Sequence, residues 1–228
     1  MLGELLHSLS QPLTGLLCSL ELSLQLRPDL SIEQVAEQQQ ASVSVALQQT
    51  EKVIGMIQLM REYLDAEQPA PEAFSSALAP ATRSVIEELS SIAAVRGVRL
   101  RLVGTCTATL PVPESRLRLA LQYLIATLIE AQPVGGKVTL LLGEGPAGAV
   151  LRAEGERSFR RPGFRDQEQR AAISSPSVPT VRRVRLAIAS RVLETAGASL
   201  VFGDGDHAAV GPTGFVLRIP HRFDAPAR

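Results

Sequence analysis

Residues 7–13 of the chain are His7-Ser8-Leu9-Ser10-Gln11-Pro12-Leu13, a histidine followed five residues later by a proline. The surrounding segment is rich in leucine at every third or fourth position, a pattern typical of a helix that packs one face against other helices. His7 and Gln11 fall on the opposite, polar face. Pro12 lacks a backbone N–H and crowds the carbonyl of Ser8, so we predict a kink one turn after the histidine. An imidazole is also a good nucleophile near neutral pH, which makes His7 a candidate reactive residue.

Two long helices joined by a short turn are predicted for the first part of the chain, from residue 2 to about 26 and from residue 32 onward. Ser31 and Gln34 have the spacing of a capping box at the start of the second helix. Ten of its residues have nearly heptad spacing: Ile32, Val35, Gln39, Ser42, Ala46, Gln49, Val53, Ile57, Met60 and Leu64. A single hairpin cannot bury such a stripe, so we expect two copies to form a four-helix bundle.

His7, Leu9, Pro12 and Leu13 resemble the H-box of bacterial sensor histidine kinases. In that family the histidine lies on a dimerisation and phosphotransfer hairpin and accepts phosphate. Ser8 departs from the pattern, because many members have an acid there that assists attack on ATP. The resemblance implies a phosphoacceptor role for His7 on a hairpin spanning residues 1–67. The alternative is that His7 is simply a polar residue on a solvated helix face.

Composition excludes several classes of protein. The 228 residues are 45% apolar and include only two cysteines, Cys18 and Cys106, so neither a disulfide framework nor a zinc cluster is indicated. The leucine-rich start has no basic residue before Arg27 and contains Glu4 and Glu21, which argues against a signal peptide or a membrane anchor. We therefore expect a soluble, cytoplasmic protein without a membrane partner.

Charge divides the chain into two parts. Residues 1–72 contain ten acidic and three basic residues, a net charge of −7, so the remainder carries +7. Ten arginines occur between Arg152 and Arg191. Because no aromatic stacking platform or DNA-binding motif accompanies them, we expect a solvated surface, with docking of an acidic protein as the second interpretation and no nucleic-acid partner. His207 and His221 are interpreted as surface residues.

After a proline-rich linker at 68–77, residues 78–228 show the pattern of an α/β sandwich with helices on one face of a sheet. Helices are predicted at 80–96, 114–131 and 184–196, strands at 98–103, 137–142, 149–153, 199–202 and 214–219, and a long loop at 154–180. The whole chain is therefore predicted to be α+β, with a helical hairpin followed by this sandwich.

The order of these elements resembles the GHKL-type ATP-binding domain of histidine kinases. Residues 124–131 with Gly135 and Gly136 match the helix and turn of the N-box, residues 185–197 match the helix after the second glycine box, and residues 211–220 match the last glycine box. At the positions that bind nucleotide in that family, this chain has different residues. Tyr123 and Thr127 replace the asparagines that ligate Mg²⁺.

Two further nucleotide positions also differ from the family pattern. Ala153 replaces the aspartate that binds adenine, and Glu154 would substitute for it only if the register slipped by one residue. Arg183 and Arg185 replace glycines whose backbone N–H groups approach phosphate. We therefore expect no ATP-dependent autophosphorylation, no bound cofactor and no metal ligands in this chain.

These features together predict a homodimeric histidine phosphotransferase in a phosphorelay. His7 would carry phosphate between the aspartates of response-regulator receiver domains, and the receiver would supply Mg²⁺. An upstream hybrid histidine kinase is a further candidate partner. The alternatives are a receiver phosphatase that uses Gln11 to position water and a non-catalytic scaffold that binds a receiver or a kinase. An ATP-dependent kinase ranks last.

Overall fold

The computed structural model describes residues 2–24, 31–68, 74–145, 147–155, 177–202 and 214–220. The chain divides into two compact units, Met1–Leu64 and Asp65–Arg228. Several predictions fall outside the described residues: the short turn between the first two helices, most of the loop at 154–180, and the surface positions of His207 and His221.

The first unit is a helical hairpin of α1 (Leu2–Leu24) and α2 (Ile32–Ala66), whose last residues lie in the second unit. The predicted capping box is confirmed at the start of α2. The backbone N–H of Gln34 donates to Oγ of Ser31 at 3.3 Å, and the N–H of Ser31 donates to Oε1 of Gln34 at 3.1 Å. These bonds satisfy two donors that a helix N-terminus otherwise leaves unpaired.

One stripe of α1 is covered by the rest of the hairpin. Its members recur every three or four positions and are buried or half-buried: Leu9, Pro12, Leu16, Ser19 and Ser23. Near the middle of α1, a Cβ at Gly15 would lie 3.4 Å from the side chain of Gln49, so α1 and α2 approach closely there.

The second unit contains three helices and seven strands among the described residues. The helices are α3 (Leu78–Val95), α4 (Glu114–Ala131) and α5 (Ser177–Thr195). The strands are β1 (Ser76–Ala77), β2 (Arg99–Gly104), β3 (Thr109–Leu110), β4 (Lys137–Gly145), β5 (Gly148–Gly155), β6 (Ser199–Phe202) and β7 (Gly214–Pro220). Five of them form one sheet in the order β2-β4-β5-β7-β6, with β2 and β4 parallel and the other neighbours antiparallel.

The core of this unit lies between the helices and one face of the sheet. Alternate strand residues such as Leu140, Leu151 and Leu217 are fully buried, as are Leu121 and Leu128 on α4. Because side chains alternate across a strand, the other face of the sheet carries the exposed residues. The predicted hairpin followed by an α/β sandwich is thereby confirmed.

Two parts of the second unit differ from the prediction. Residues 76–77, which we expected in the linker, pair as β1 with β3, since Ser76 lies opposite Leu110. Strands of two residues have no periodicity that a sequence pattern can show. Helix α5 begins at Ser177 rather than residue 184. Pro179 is compatible with this start, because it lies in the first turn, where a missing N–H costs no intrahelical hydrogen bond.

Candidate functional site

His7 lies on a solvent-exposed polar stripe of α1. The stripe follows helical spacing and all its members are exposed: His7, Gln11, Thr14, Cys18 and Glu21. Gln11 therefore lies one turn after the histidine on the same face. An approaching protein can reach both the imidazole and the amide.

The helix continues on both sides of Pro12 between Leu2 and Leu24, and Pro12 itself is buried. Hydroxyl groups on either side bond back to the helix backbone. Oγ of Ser10 donates to the carbonyl of Leu6 at 3.0 Å, and Oγ1 of Thr14 donates to the carbonyl of Ser10 at 2.9 Å. Such bonds share carbonyls with the helix ladder and often accompany bending. The helix is continuous through Pro12, with His7 exposed on it, and the kink expected from the sequence stays a prediction.

A second exposed stripe on α1, beside the polar one, is apolar. Its members are about half exposed or more in the single chain and have heptad spacing: Leu6, Leu13, Leu17, Leu20 and Leu24. A matching stripe on α2 contains Val43, Leu47, Ile54, Ile57 and Leu64. Only Ile57 and Leu64 of this second set belong to the packing stripe predicted from sequence. Ala46, another predicted member, is buried instead.

In the second unit, α4 carries the residues at the predicted magnesium positions. Thr127 is 2% exposed, and its hydroxyl donates to the carbonyl of Tyr123 at 2.7 Å. A hydroxyl with so little exposed surface is poorly placed to ligate a cation that arrives from solvent. The Tyr123 side chain offers a phenol in place of an amide.

Ala153 lies in the middle of the sheet, opposite Leu140 on β4 and Phe215 on β7, with no exposed surface. No carboxylate is therefore available at the position expected to bind adenine. The alternative role for Glu154 is wrong, because successive strand side chains point to opposite faces of the sheet. Glu154 is exposed, and Nε of Arg152 donates to its Oε1 at 2.5 Å.

Arginines of α5, including Arg185 at a position where the family has a glycine, lie against α4. The guanidinium of Arg185 lies 5.5 Å from the centre of the Tyr123 ring, within cation–π range. Arg182 and Arg185 each approach the carboxylate of Glu130 at 3.5 Å. Arg183 is exposed.

The structure thus brings Tyr123 and Arg185 together and adds two residues, Glu130 and Arg182, to which sequence reasoning assigned no role. Their opposite charges were visible in the sequence, but 52 residues separate Arg182 from Glu130, so no local spacing signalled the pair. Among the described residues at these positions, Tyr123, Thr127 and Ala153 carry neither an amide nor a carboxylate oxygen.

The described part of the chain does not meet the requirements of a metal site or of a membrane-spanning helix. It contains no group of three or more His, Cys, Asp or Glu side chains able to hold a metal ion. Among the same residues, no helix combines the length and the apolar character needed to cross a bilayer.

A helical hairpin followed by a five-stranded mixed sheet, covered on one face by helices, defines the histidine kinase fold, and this chain has that fold. The structure is similar to that of the histidine kinase AdeS of Acinetobacter baumannii, with a TM-score of 0.60 and 14% identity over 95% of this chain and 98% of AdeS. It is also similar to full-length ShkA in complex with AMPPNP, with a TM-score of 0.54 and 17% identity over 92% of this chain and 43% of the ShkA chain. No protein-family model and no curated protein sequence matches the chain. The resemblance inferred from the H-box is confirmed at the level of the fold.

Proposed function

We propose that this protein is a histidine phosphotransferase that relays phosphate between response-regulator receiver domains through His7, without using ATP. The main support is the combination of two local environments on a histidine kinase fold. His7 is exposed on α1, whereas Ala153, Thr127 and Arg185 stand at the positions that would bind nucleotide. The phosphate must then come from another protein.

In the proposed transfer, a ring nitrogen of His7 uses its lone pair to attack the phosphorus of an aspartyl phosphate. The bond from phosphorus to the aspartate oxygen breaks, the carboxylate leaves with the electron pair, and an N–P bond forms. The receiver supplies the aspartate and the Mg²⁺ that balances phosphate charge. The reverse reaction with a second receiver returns His7 to its starting state. Since the carboxylate is a good leaving group, no general base is required next to His7, and serine at position 8 is compatible with this chemistry.

The proposed active form is a homodimer. The exposed heptad stripes on α1 and α2 would each remain half exposed to water in a single chain. Burying one such leucine or isoleucine side chain contributes about 1.5–3 kcal/mol. Two hairpins that share these stripes would form the four-helix bundle expected from the sequence, with the His7 stripe left accessible.

The proposed setting is the cytoplasm, with receiver domains as partners and an upstream hybrid histidine kinase as the initial phosphate source.

A receiver phosphatase is the second candidate function, because Gln11 is exposed one turn after His7 and its amide can orient water. A scaffold that only binds receivers is the third.

A transfer assay with a radiolabelled, phosphorylated receiver separates these functions. We expect acid-labile, base-stable label on this chain, complete loss of label in His7→Ala, and only modest weakening in Gln11→Ala, because the amide is not the nucleophile. Thr14→Ala, two turns along the same stripe, is the matched control and should retain full transfer.

The other outcomes are distinct. A phosphatase would release inorganic phosphate without labelling the chain, and Gln11→Ala would then have the largest effect because water loses its orienting group. A scaffold would bind the receiver and leave the lifetime of its phosphate unchanged. Absence of label with every receiver tested would overturn the relay.

A further inference from the structure

A small pocket lies between α3, α4 and α5 in the second unit, with a volume of about 210 Å³. Its apolar lining comes from Leu89 and Ile92 on α3 and from Ala126 and Ile129 on α4. The volume is below the roughly 300–1,000 Å³ of pockets that hold drug-sized ligands. A single ring or a short branched chain suits a space of this size.

The polar lining of the pocket includes two cationic side chains. Arg96 contributes from the end of α3 and Arg185 from α5, and Glu130 is the acidic residue of the lining. Glu130 is already paired with both Arg182 and Arg185. Two guanidinium groups against one carboxylate in the lining leave a net positive charge that favours an anion.

Arg185 also has an unused donor. Its Nε is buried and has no hydrogen-bond partner among the described residues, and the same is true of Nε of Arg182. A buried donor without an acceptor costs about 1–3 kcal/mol, so unsatisfied groups of this kind require an explanation. The Tyr123 ring holds the Arg185 guanidinium from one side, which restricts its movement away from the pocket.

We propose that this pocket binds a small organic carboxylate, with the carboxylate between Arg96 and Arg185 and the apolar body against Leu89, Ile92 and Ala126. An inorganic anion would satisfy the arginines but leave the apolar lining unused. A neutral apolar ligand would leave the arginines unpaired. This site does not depend on the proposed transfer through His7, so the failure of one proposal would leave the other unaffected.

Benzoate is a suitable probe, used with the whole 228-residue chain and detected by saturation-transfer NMR. We expect saturable binding with a Kd of about 0.1–1 mM, the range for a ligand of this size. Arg185→Gln and Arg96→Gln should each weaken binding about tenfold, since each removes a charge-assisted hydrogen bond. Ala126→Leu keeps all charges but fills the pocket and should abolish binding.

Arg83→Gln, at an exposed position of α3, the helix that Arg96 directly follows, is the matched control and should bind benzoate normally. Circular dichroism of every variant distinguishes loss of binding from loss of fold. Benzamide has the same shape without the charge and should bind at least tenfold more weakly. No saturable benzoate binding, equal binding of benzamide or inorganic phosphate, or unchanged binding in both Arg185→Gln and Ala126→Leu would overturn the proposal.

Discussion

Gly104 ends β2 with a φ of +83°, a left-handed conformation that costs a residue with a Cβ roughly 1–2 kcal/mol. A Cβ at this position would also collide with the backbone carbonyl of Leu142 on the neighbouring strand. We expect Gly104→Ala to lower the free energy of unfolding by about 2–4 kcal/mol, as measured by urea denaturation. Gly143→Ala is the control, because a Cβ there meets no atom within 4 Å. Equal losses in the two variants would contradict this explanation.

The two cysteines should differ in reactivity. Cys18 is exposed and Cys106 is buried. Burial raises the pKa of the Cys106 thiol, a backbone hydrogen bond with Ala108 lowers it by less, and the charge of Glu144 raises it further. A raised pKa leaves less thiolate, the reactive form, at neutral pH. We expect iodoacetamide to alkylate Cys18 well before Cys106, as followed by mass spectrometry, and the difference to vanish in urea. Rapid modification of Cys106 in the folded protein would contradict its burial.

At the scale of the element, α2 has two adjacent stripes, one that is exposed and apolar and one that includes buried residues. The stripe predicted from sequence on α2 includes buried Ala46 together with exposed Ile57 and Leu64. Adjacent stripes share the same heptad period, so spacing identifies the helix but does not tell which stripe faces α1. That assignment depends on the partner helix, which is distant in sequence.

Ile57→Asp tests the exposed stripe on α2. Ile57 is 54% exposed in one chain, so the substitution should affect the isolated hairpin little. In the proposed dimer it would bury an unpaired carboxylate, at a cost of several kcal/mol. We expect light scattering to show a dimer for the unaltered protein and a monomer for Ile57→Asp. Gln48→Asp, exposed on the same helix but outside the stripe, should remain dimeric. A monomeric unaltered protein would show that the four-helix bundle is wrong.

At the scale of the whole molecule, the chain has the histidine kinase fold, and the proposed function requires that this fold does not bind nucleotide. We expect calorimetric titration with Mg-ATP to give no saturable signal in the micromolar range, where a Kd of 1 μM corresponds to roughly −8 kcal/mol. The reasons are the buried Thr127, the absence of a carboxylate at Ala153, and Arg185 beside Tyr123. Tight Mg-ATP binding together with label on His7 would instead support an ATP-dependent kinase.

Local patterns in the sequence determined much of this protein. Helical spacing around His7 predicted the exposed polar stripe of α1, and Ser31 with Gln34 predicted the start of α2. Strand alternation and turn glycines placed most strands to within a few residues. These features depend on neighbours three or four positions apart, or on alternation along one strand, so the sequence contains the information directly.

The tertiary structure alone decided the remaining features. It showed that Arg182 and Arg185 converge on Glu130, and that a particular pair of apolar stripes remains uncovered. Each of these depends on residues brought together from distant segments by packing of the helices on the sheet or on each other. Local spacing sets which residues share a face, but the fold determines what that face meets.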